Sequence, residues 1–202
     1  MTMAEITAKT VQELRKKTGL GMMDCKKALQ ETDGGIEKAI EYLRKQGMSA
    51  VEKRADRDAS EGLIQSYIHQ GSRLGVLVEV NCETDFVART DDFQGFAKDV
   101  AMHIAASQPL AIDRESIPAA AVDKEKAIFL EQAKNEGKPE HIAEKIVEGR
   151  LEKFYQENCL MEQVFVKNPD QTIDELITEL TAKIGEKISV RRFERFVLGD
   201  EA

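Results

Sequence analysis

Tryptophan is absent from this sequence, and cysteine, proline and aromatic residues are scarce. Aromatic residues make up only 5% of the chain, while alanine, glutamate, lysine and leucine are abundant, a balance that favours helix. The three cysteines, Cys25, Cys82 and Cys159, are far apart and form no Cys-x-x-Cys motif. Neither a zinc site nor a disulfide framework is therefore expected, and a reducing, cytoplasmic setting fits.

Long apolar runs are also missing. No segment approaches the roughly 20 apolar residues that a transmembrane helix needs. The N-terminal MTMAEITAKT lacks both the apolar core of a signal peptide and the Arg- and Ser-rich character of a transit peptide. We therefore expect a cytoplasmic chain without a membrane partner.

Positive charge is in deficit, with a net charge of -8 and a pI near 5.1. Direct nucleic-acid binding is not expected, because proteins bind phosphate backbones through clusters of Lys and Arg. A ribosome-associated or RNA-binding module stays an alternative, because RKQGMSAVEKR (residues 44–54) forms a local basic run.

The residue types of an active site do not cluster in the sequence. His69, His103 and His141 stand apart and form no His-x-x-x-His pair. His103 lies between Val100 and Ile104 in a core-facing helical pattern, which indicates a core histidine. We expect a protein without cofactor, bound metal or chemical step.

Residues 1–47 have the pattern of three short helices. Thr7 can cap the first helix, and Gly19 falls where that helix would end in a left-handed conformation. A second helix is predicted over about residues 23–31, and a third begins near Gly35. The pattern predicts a small three-helix domain.

The following residues, 48–60, mix both charges without periodicity. This is typical of a linker between domains. Lys53, Arg54 and Arg57 are accordingly interpreted as solvated linker residues.

Residues 61–202 are predicted to form a core domain in which strands and helices both occur. GLIQSYIH and RLGVLVEVN predict a β-hairpin, followed by a helix in which Asp91 and Gln94 resemble a capping box. LMEQVFV and ISVRRFERFVLG predict two more strands, and Thr172 with Glu175 predicts another capped helix. The fold class is α+β: a three- or four-stranded antiparallel sheet with helices on one face.

An antiparallel helical hairpin is predicted over about residues 120–159. Two helical patterns are separated by Gly137-Lys138-Pro139, and proline is favoured at a helix start. Ala143 and Val147 belong to a narrow apolar stripe between charged flanks, which is typical of a two-helix coiled coil that projects from a domain.

Two apolar features lie at turns. Met22 and Met23 follow the first helix, where their flexible side chains can adapt to a partner, or one of them can pack inwards. Phe86 and Val87 lie beside Asp85 in NCETDFVART (residues 81–90), at a strand-to-helix corner. This tip either folds back onto its own core or is an anchor for another protein's pocket.

Five segments, TGLGMMDCKKALQETDGGIEKAIEYLRKQG, EVNCETDFVAR, AMHIAAS, GKPEHIAEKIVEGRLEKF and AKIGEKISVRRF, occur in this order over nearly the whole chain. Together they resemble the bacterial translation elongation factor Ts family, the guanine-nucleotide exchange factors for elongation factor Tu. The resemblance implies an N-terminal domain of the ubiquitin-associated type, an α+β core domain and a protruding helical hairpin.

The resemblance also implies which residues meet the partner. Thr84, Asp85, Phe86 and Val87 match the segment that the family inserts into the GTPase domain of elongation factor Tu, where the ring opens a gap between helices and disturbs the Mg²⁺ site. The partner would be bound in its GDP-bound and nucleotide-free states. The further residues that match partner contacts are Leu14, Met22, Met23, His69, Ile184 and Gly185.

The motifs ETDFV, HQGSRLG and KIGEKI each occur once, whereas longer members of the family have two related core subdomains in tandem. The resemblance is therefore to the short form, which implies a homodimer through the core domain.

Overall fold

The structure is a computed structural model that describes residues 6–137 and 139–200. Helices and strands are mixed along the chain, and they confirm the α+β class. In chain order the elements are α1 Ala8–Thr18, α2 Met22–Glu31, α3 Ile36–Glu52, β1 Glu61–Ile68, β2 Leu74–Cys82, α4 Asp85–Ala88, α5 Asp91–Ser107, α6 Ala119–Asn135, α7 Glu140–Asn158, a 3₁₀ turn Leu160–Glu162, β3 Val164–Phe165, β4 Asn168–Thr172, α8 Ile173–Ile184 and β5 Ser189–Val197.

The first three helices pack as the sequence predicts. The Thr7 hydroxyl accepts the Thr10 N–H at 3.2 Å and caps α1. At the other end Gly19 has φ +68° and donates its N–H to the Arg15 carbonyl at 2.8 Å. Their shared core consists of Val11, Leu14, Cys25, Ala28, Leu29, Ala39 and Leu43.

The segment after these helices differs from its prediction. Helix α3 continues to Glu52, past the predicted boundary at residue 47. The interpretation of solvated residues is wrong for Arg54, which is half-buried and whose Nε donates to the Gly185 carbonyl at 3.0 Å. Arg57 is exposed as predicted, and it also pairs with Glu83 at 3.1 Å. These basic side chains find fixed acceptors far away in the sequence, which local patterns do not reveal.

Three strands form the main sheet in the order β1-β2-β5. A tight turn joins β1 to β2, and the Leu198 N–H donates to the Arg73 carbonyl, so the end of β5 lies beside the start of β2 and both pairings are antiparallel. The prediction of a strand for LMEQVFV is only partly right. Its first residues form the 3₁₀ turn, and β3 pairs with β4 in a separate two-stranded sheet.

The two faces of the main sheet differ in burial. Val76, Val78 and Val80 of β2 are buried and form part of the core, as their alternation predicts. The opposite face is exposed although it is apolar. It carries Ile64, Ile68, Leu77 and Phe196.

Side-chain caps begin two of the later helices. Thr172 accepts the Glu175 N–H at 3.2 Å and Glu175 accepts the Thr172 N–H at 3.1 Å, which confirms the predicted capping box of α8. In α5 the cap is Thr90, whose hydroxyl accepts the Phe93 N–H at 3.3 Å, and not the predicted Asp91.

The helical hairpin is present as α6 and α7, with Ala133, Ala143 and Val147 buried along its seam. Arg114 ties the C-terminal half of α7 to the 3₁₀ turn. Its guanidinium bonds both oxygens of Glu152, at 2.9 and 2.6 Å, and both oxygens of Glu162, at 2.5 and 2.8 Å. Such a doubly bidentate arrangement fixes orientation as well as distance.

His103 is a core histidine, as predicted. It is fully buried, its Nε2 lies 2.9 Å from Gln163 Oε1, and its Nδ1 accepts the Val166 N–H at 3.4 Å. Nδ1 is thereby an acceptor, so Nε2 carries the proton of a neutral ring. Burial lowers the pKa of His103, and the bond to Gln163 offsets this only in part.

Stability is therefore expected to fall in mild acid. Below a pH of about 6.5 the unfolded chain takes up a proton at His103 that the folded chain does not, so the free energy of unfolding decreases by up to about 1.4 kcal/mol per pH unit until the lower folded pKa is reached. Urea unfolding from pH 5 to 8 measures this. His103→Gln should remove this part of the pH dependence of the free energy of unfolding. The same change at the exposed His69 should leave it in place. An unaltered slope in His103→Gln would contradict the assignment.

The chain divides into two compact units. One contains the chain up to Leu63 with Asn81–Gln94 and Leu176–Ser189, and the other contains Ile64–Val80, Gly95–Glu175 and the chain from Val190 onward. Within residues 6–137 and 139–200, none of the helices combines the length and apolar character needed to cross a membrane.

Candidate interaction site

The NCETDFVART corner contains one helical turn. Strand β2 ends at Cys82, and α4 contains only Asp85–Ala88. Thr84 caps this turn: its hydroxyl accepts the Val87 N–H at 3.4 Å, and its carbonyl accepts the Ala88 N–H at 3.3 Å. Thr84 has an extended backbone (φ -131°, ψ 152°), and its side chain supplies the capping oxygen where the chain passes from strand into helix.

The ring of Phe86 points outward from this turn. It is 78% exposed, whereas Val87 is half-buried and Ala88 is buried. The side of α4 that carries Ala88 therefore packs inwards, and the ring does not fold back onto its own core. Asp85 is half-buried and pairs with Arg89 at 2.8 Å.

Two glutamates hold the corner. Both oxygens of Glu186 accept from Thr84, one from the hydroxyl at 2.8 Å and one from the N–H at 3.1 Å. Glu83 accepts the Lys187 N–H at 2.6 Å and also pairs with Arg57. The bond from Lys187, followed by the hydrogen bond and the charge of Arg57, holds the pKa of Glu83 below its usual range.

Cys82 lies beneath the turn and is buried. Burial and the nearby Glu186 carboxylate raise the pKa of its thiol to about 11, so it stays protonated at neutral pH and donates to the Thr84 carbonyl at 3.1 Å. This thiol supports the corner and is not a reactive nucleophile, because nucleophilic cysteines need a lowered pKa.

The methionines at the start of α2 are both exposed, Met22 to 47% and Met23 to 73%. The alternative in which one of them packs inwards is therefore not found. Leu14 differs from its prediction as a contact residue, since it is 0% exposed within the three-helix core. A side chain without accessible surface cannot touch a partner, and Leu14 instead belongs to the core that α1 shares with α2 and α3.

The end of α8 belongs to the same compact unit as the Phe86 corner and the methionine pair. Ile184 and Gly185 are half-buried, and Gly185 ends the helix with φ +85°. Lys183 pairs with Asp92 at 2.6 Å, and its stem passes close to Gly19, which precedes the methionine pair. Asn81–Gln94, the N-terminal helices and Leu176–Ser189 thus share one scaffold.

His69 belongs to the other unit. It is exposed at the start of the β1–β2 turn, and its Nδ1 lies 3.0 Å from the Tyr67 hydroxyl. The structure therefore places His69 at an accessible turn but does not relate it to the Phe86 corner.

Comparison with known proteins identifies the family. The family model described as "Elongation factor TS" matches residues 3–200. The chain belongs to the elongation factor Ts family. It is 60% identical over 195 residues to the elongation factor Ts of Heliobacterium modesticaldum, covering 96% of this chain and 91% of that protein. It is 59% identical over 198 residues to that of Desulforamulus reducens (98% and 91%), and 55% identical over 195 residues to that of Thermoanaerobacter sp. strain X514 (96% and 96%).

Membership confirms the resemblance and gives the coarse function. The family consists of elongation factors of protein synthesis that act as nucleotide exchange factors for elongation factor Tu and carry out no chemical reaction.

Sequence reasoning did not find the residues that hold the corner. Glu186 lies 102 residues from Thr84, and no periodicity or motif spacing connects the two. The one available signal was the position of Glu186 next to Gly185, in a segment already assigned to the partner contact.

Proposed function

We propose that this chain promotes GDP release from elongation factor Tu by inserting the Phe86 ring into the GTPase domain and disturbing the Mg²⁺ site there. The observation that carries the proposal is a large aromatic side chain, 78% exposed, on a helical turn that is capped and bonded from beneath. An exposed aromatic ring on a rigid support is typical of an interface anchor.

The proposed mechanism is a coupling of two binding equilibria. The factor binds the nucleotide-free GTPase more tightly than the GDP-bound one, and reciprocity then requires that GDP and the factor weaken each other's binding by the same ratio. GDP leaves faster without a catalytic group on this chain. Free GTP can then occupy the open site.

The Mg²⁺ ion of the partner explains why a local insertion has a large effect. Mg²⁺ in a GTPase site would neutralise negative charge on the nucleotide phosphates and so contribute to the attraction that holds GDP. A side chain that shifts one ligand removes part of the attraction that holds GDP. Asp85, beside Phe86, would bring negative charge near the phosphates and add to their repulsion.

Docking would use the exposed residues of the same unit. Met22 and Met23 offer flexible apolar side chains that adapt to a helix surface. The half-buried Ile184 and Gly185 come directly before the residue that accepts both bonds from Thr84 of the corner. His69 is proposed as an additional contact. Leu14 is left out because it is buried.

Release of labelled GDP from elongation factor Tu, with and without this chain, tests the proposal. Acceleration that grows with factor concentration and saturates supports it. An unchanged release rate would overturn it, and steeply salt-dependent RNA binding would then favour the RNA-binding alternative.

The Met22→Ala/Met23→Ala double variant is expected to weaken docking to elongation factor Tu without impairing the opening of its nucleotide site. Loss of two exposed anchors should raise the factor concentration for half-maximal GDP release by about tenfold or more, while the release rate at saturation stays near wild type. A titration of factor at fixed elongation factor Tu measures both. A lowered rate at saturation with unchanged half-maximal concentration would contradict the docking role.

We also propose that two copies of this chain associate through the exposed face of the main sheet. Ile64, Ile68, Leu77 and Phe196 leave an apolar face without cover, and monomeric proteins rarely expose contiguous apolar patches of that kind. The Glu79–Arg192 pair, at 2.7 Å, shares this face and would add polar contacts. A two-fold axis would bring the same face of each copy together, which makes the contact self-complementary.

A further inference from the structure

We infer that Glu186 is the positioning residue of the Phe86 ring and acts through Thr84. The inference rests on the proposed function of Phe86 and adds to it. Helix α4 has only four residues, and a single helical turn is unstable by itself because its nucleation costs more than its few hydrogen bonds return. The direction of the ring is therefore set by contacts from elsewhere in the fold.

Glu186 provides the closest of these contacts. Its two oxygens accept the Thr84 hydroxyl at 2.8 Å and the Thr84 N–H at 3.1 Å. A carboxylate that accepts two bonds from one residue fixes orientation as well as distance. Thr84 is thus held at both its backbone and its side chain, immediately before the turn that carries the ring.

The Thr84 hydroxyl passes this restraint into the turn. While it donates to Glu186 it accepts the Val87 N–H at 3.4 Å, so a chain of two hydrogen bonds runs from the carboxylate into α4. Hydrogen bonds in such a chain strengthen one another. Loss of the acceptor at Glu186 frees the hydroxyl to rotate, and the cap of α4 weakens.

Glu186 itself is fixed on both sides. The preceding Gly185 donates its N–H to the Thr181 carbonyl at 2.8 Å and accepts Arg54 Nε at 3.0 Å. The following Lys187 donates its N–H to Glu83 and its Nζ to the Ala55 carbonyl, both at 2.6 Å. The backbone on either side of the carboxylate is therefore held by hydrogen bonds, which fixes the position of Glu186.

Glu186→Gln tests the inference without a change of shape. An amide has one acceptor oxygen, so the Thr84 N–H and hydroxyl can no longer both donate to this side chain. The hydroxyl must turn round to accept from the NH₂ group, and it loses its bond to a charged acceptor. GDP release at saturating factor should slow by about tenfold, the effect of losing a hydrogen bond to a charged group. The half-maximal concentration should stay near wild type because the docking surface is intact. Glu179→Gln, an exposed change on α8, is the matched control and should leave both values unaltered.

A double-mutant cycle with Phe86→Ala separates positioning from general stability. If Glu186 acts through the ring, Glu186→Gln should have little further effect once the ring is gone. An equal loss in both backgrounds, or no loss in either, would overturn the inference. If Phe86→Ala alone has no effect, the proposed function fails instead.

Thr84 provides a second route should Glu186→Gln fold poorly. Thr84→Val removes the hydroxyl at nearly constant volume and should lower the rate of GDP release at saturating factor in the same way. Thr84→Ser keeps the hydroxyl and should release GDP at nearly the wild-type rate. Equal rates in the two Thr84 variants would contradict the restraint.

Discussion

Phe86→Ala is expected to reduce the acceleration of GDP release from elongation factor Tu by about 30-fold or more, since an anchor in a pocket contributes roughly 2 kcal/mol or more. The loss should persist at saturating factor, because the ring acts after docking. The folded chain should be nearly unaffected, within about 0.5 kcal/mol in the free energy of unfolding, because the ring is exposed. Stopped-flow release of labelled GDP and urea unfolding measure the two quantities.

The control for this prediction removes an exposed apolar side chain elsewhere in the same unit. Met48 on α3 is exposed, and Met48→Ala should leave GDP release as it is. If Phe86→Ala accelerates GDP release as strongly as the wild type, the ring is not the group that opens the GTPase domain. A large loss of stability would show instead that the ring supports this chain's own fold.

Phe196→Asp is expected to convert the proposed homodimer into monomers. By two-fold symmetry each interface would receive two unpaired carboxylates, and burying an uncompensated charge costs several kcal/mol. The dissociation constant should therefore rise by at least about 100-fold, which sedimentation velocity over a range of concentrations would detect.

Leu110→Asp is the matched control for the sheet face. Leu110 and Phe196 are equally exposed, at 63% each, but Leu110 lies outside the sheet, where its N–H bonds the Asn158 carbonyl. The same charge at Leu110 should leave the dimer intact. A wild-type chain that sediments as a monomer, or equal dissociation by the two variants, would exclude this face as the contact.

The two proposed contact surfaces place different demands on the fold. Phe86 must be held rigidly, because a ring that moves freely would lose binding energy to entropy on insertion, and Glu186 and Cys82 restrain the turn beneath it. Met22 and Met23 can remain flexible, since their proposed part is to adapt to a surface. The chain would thus combine a fixed tip with an adaptable docking site on one unit.

Local patterns predicted most of the elements, because their causes lie within a few residues. The Thr7 cap, the left-handed Gly19 and the Thr172–Glu175 capping box each depend on neighbours in sequence. The alternation of β2 predicted its buried face for the same reason. LMEQVFV was predicted less well, because a short apolar run does not tell a 3₁₀ turn from a strand.

What the sequence determined by itself was the order of the elements, the family and the unusual apolar tip beside Asp85. Only the tertiary structure decided that the Phe86 ring points outward, that Leu14 is buried and that Arg54 and Arg57 are bound. The reason is physical. Whether a side chain is exposed or paired depends on which distant segments pack beside it, as Glu186 does beside Thr84, and local periodicity carries no record of contacts made 102 residues away.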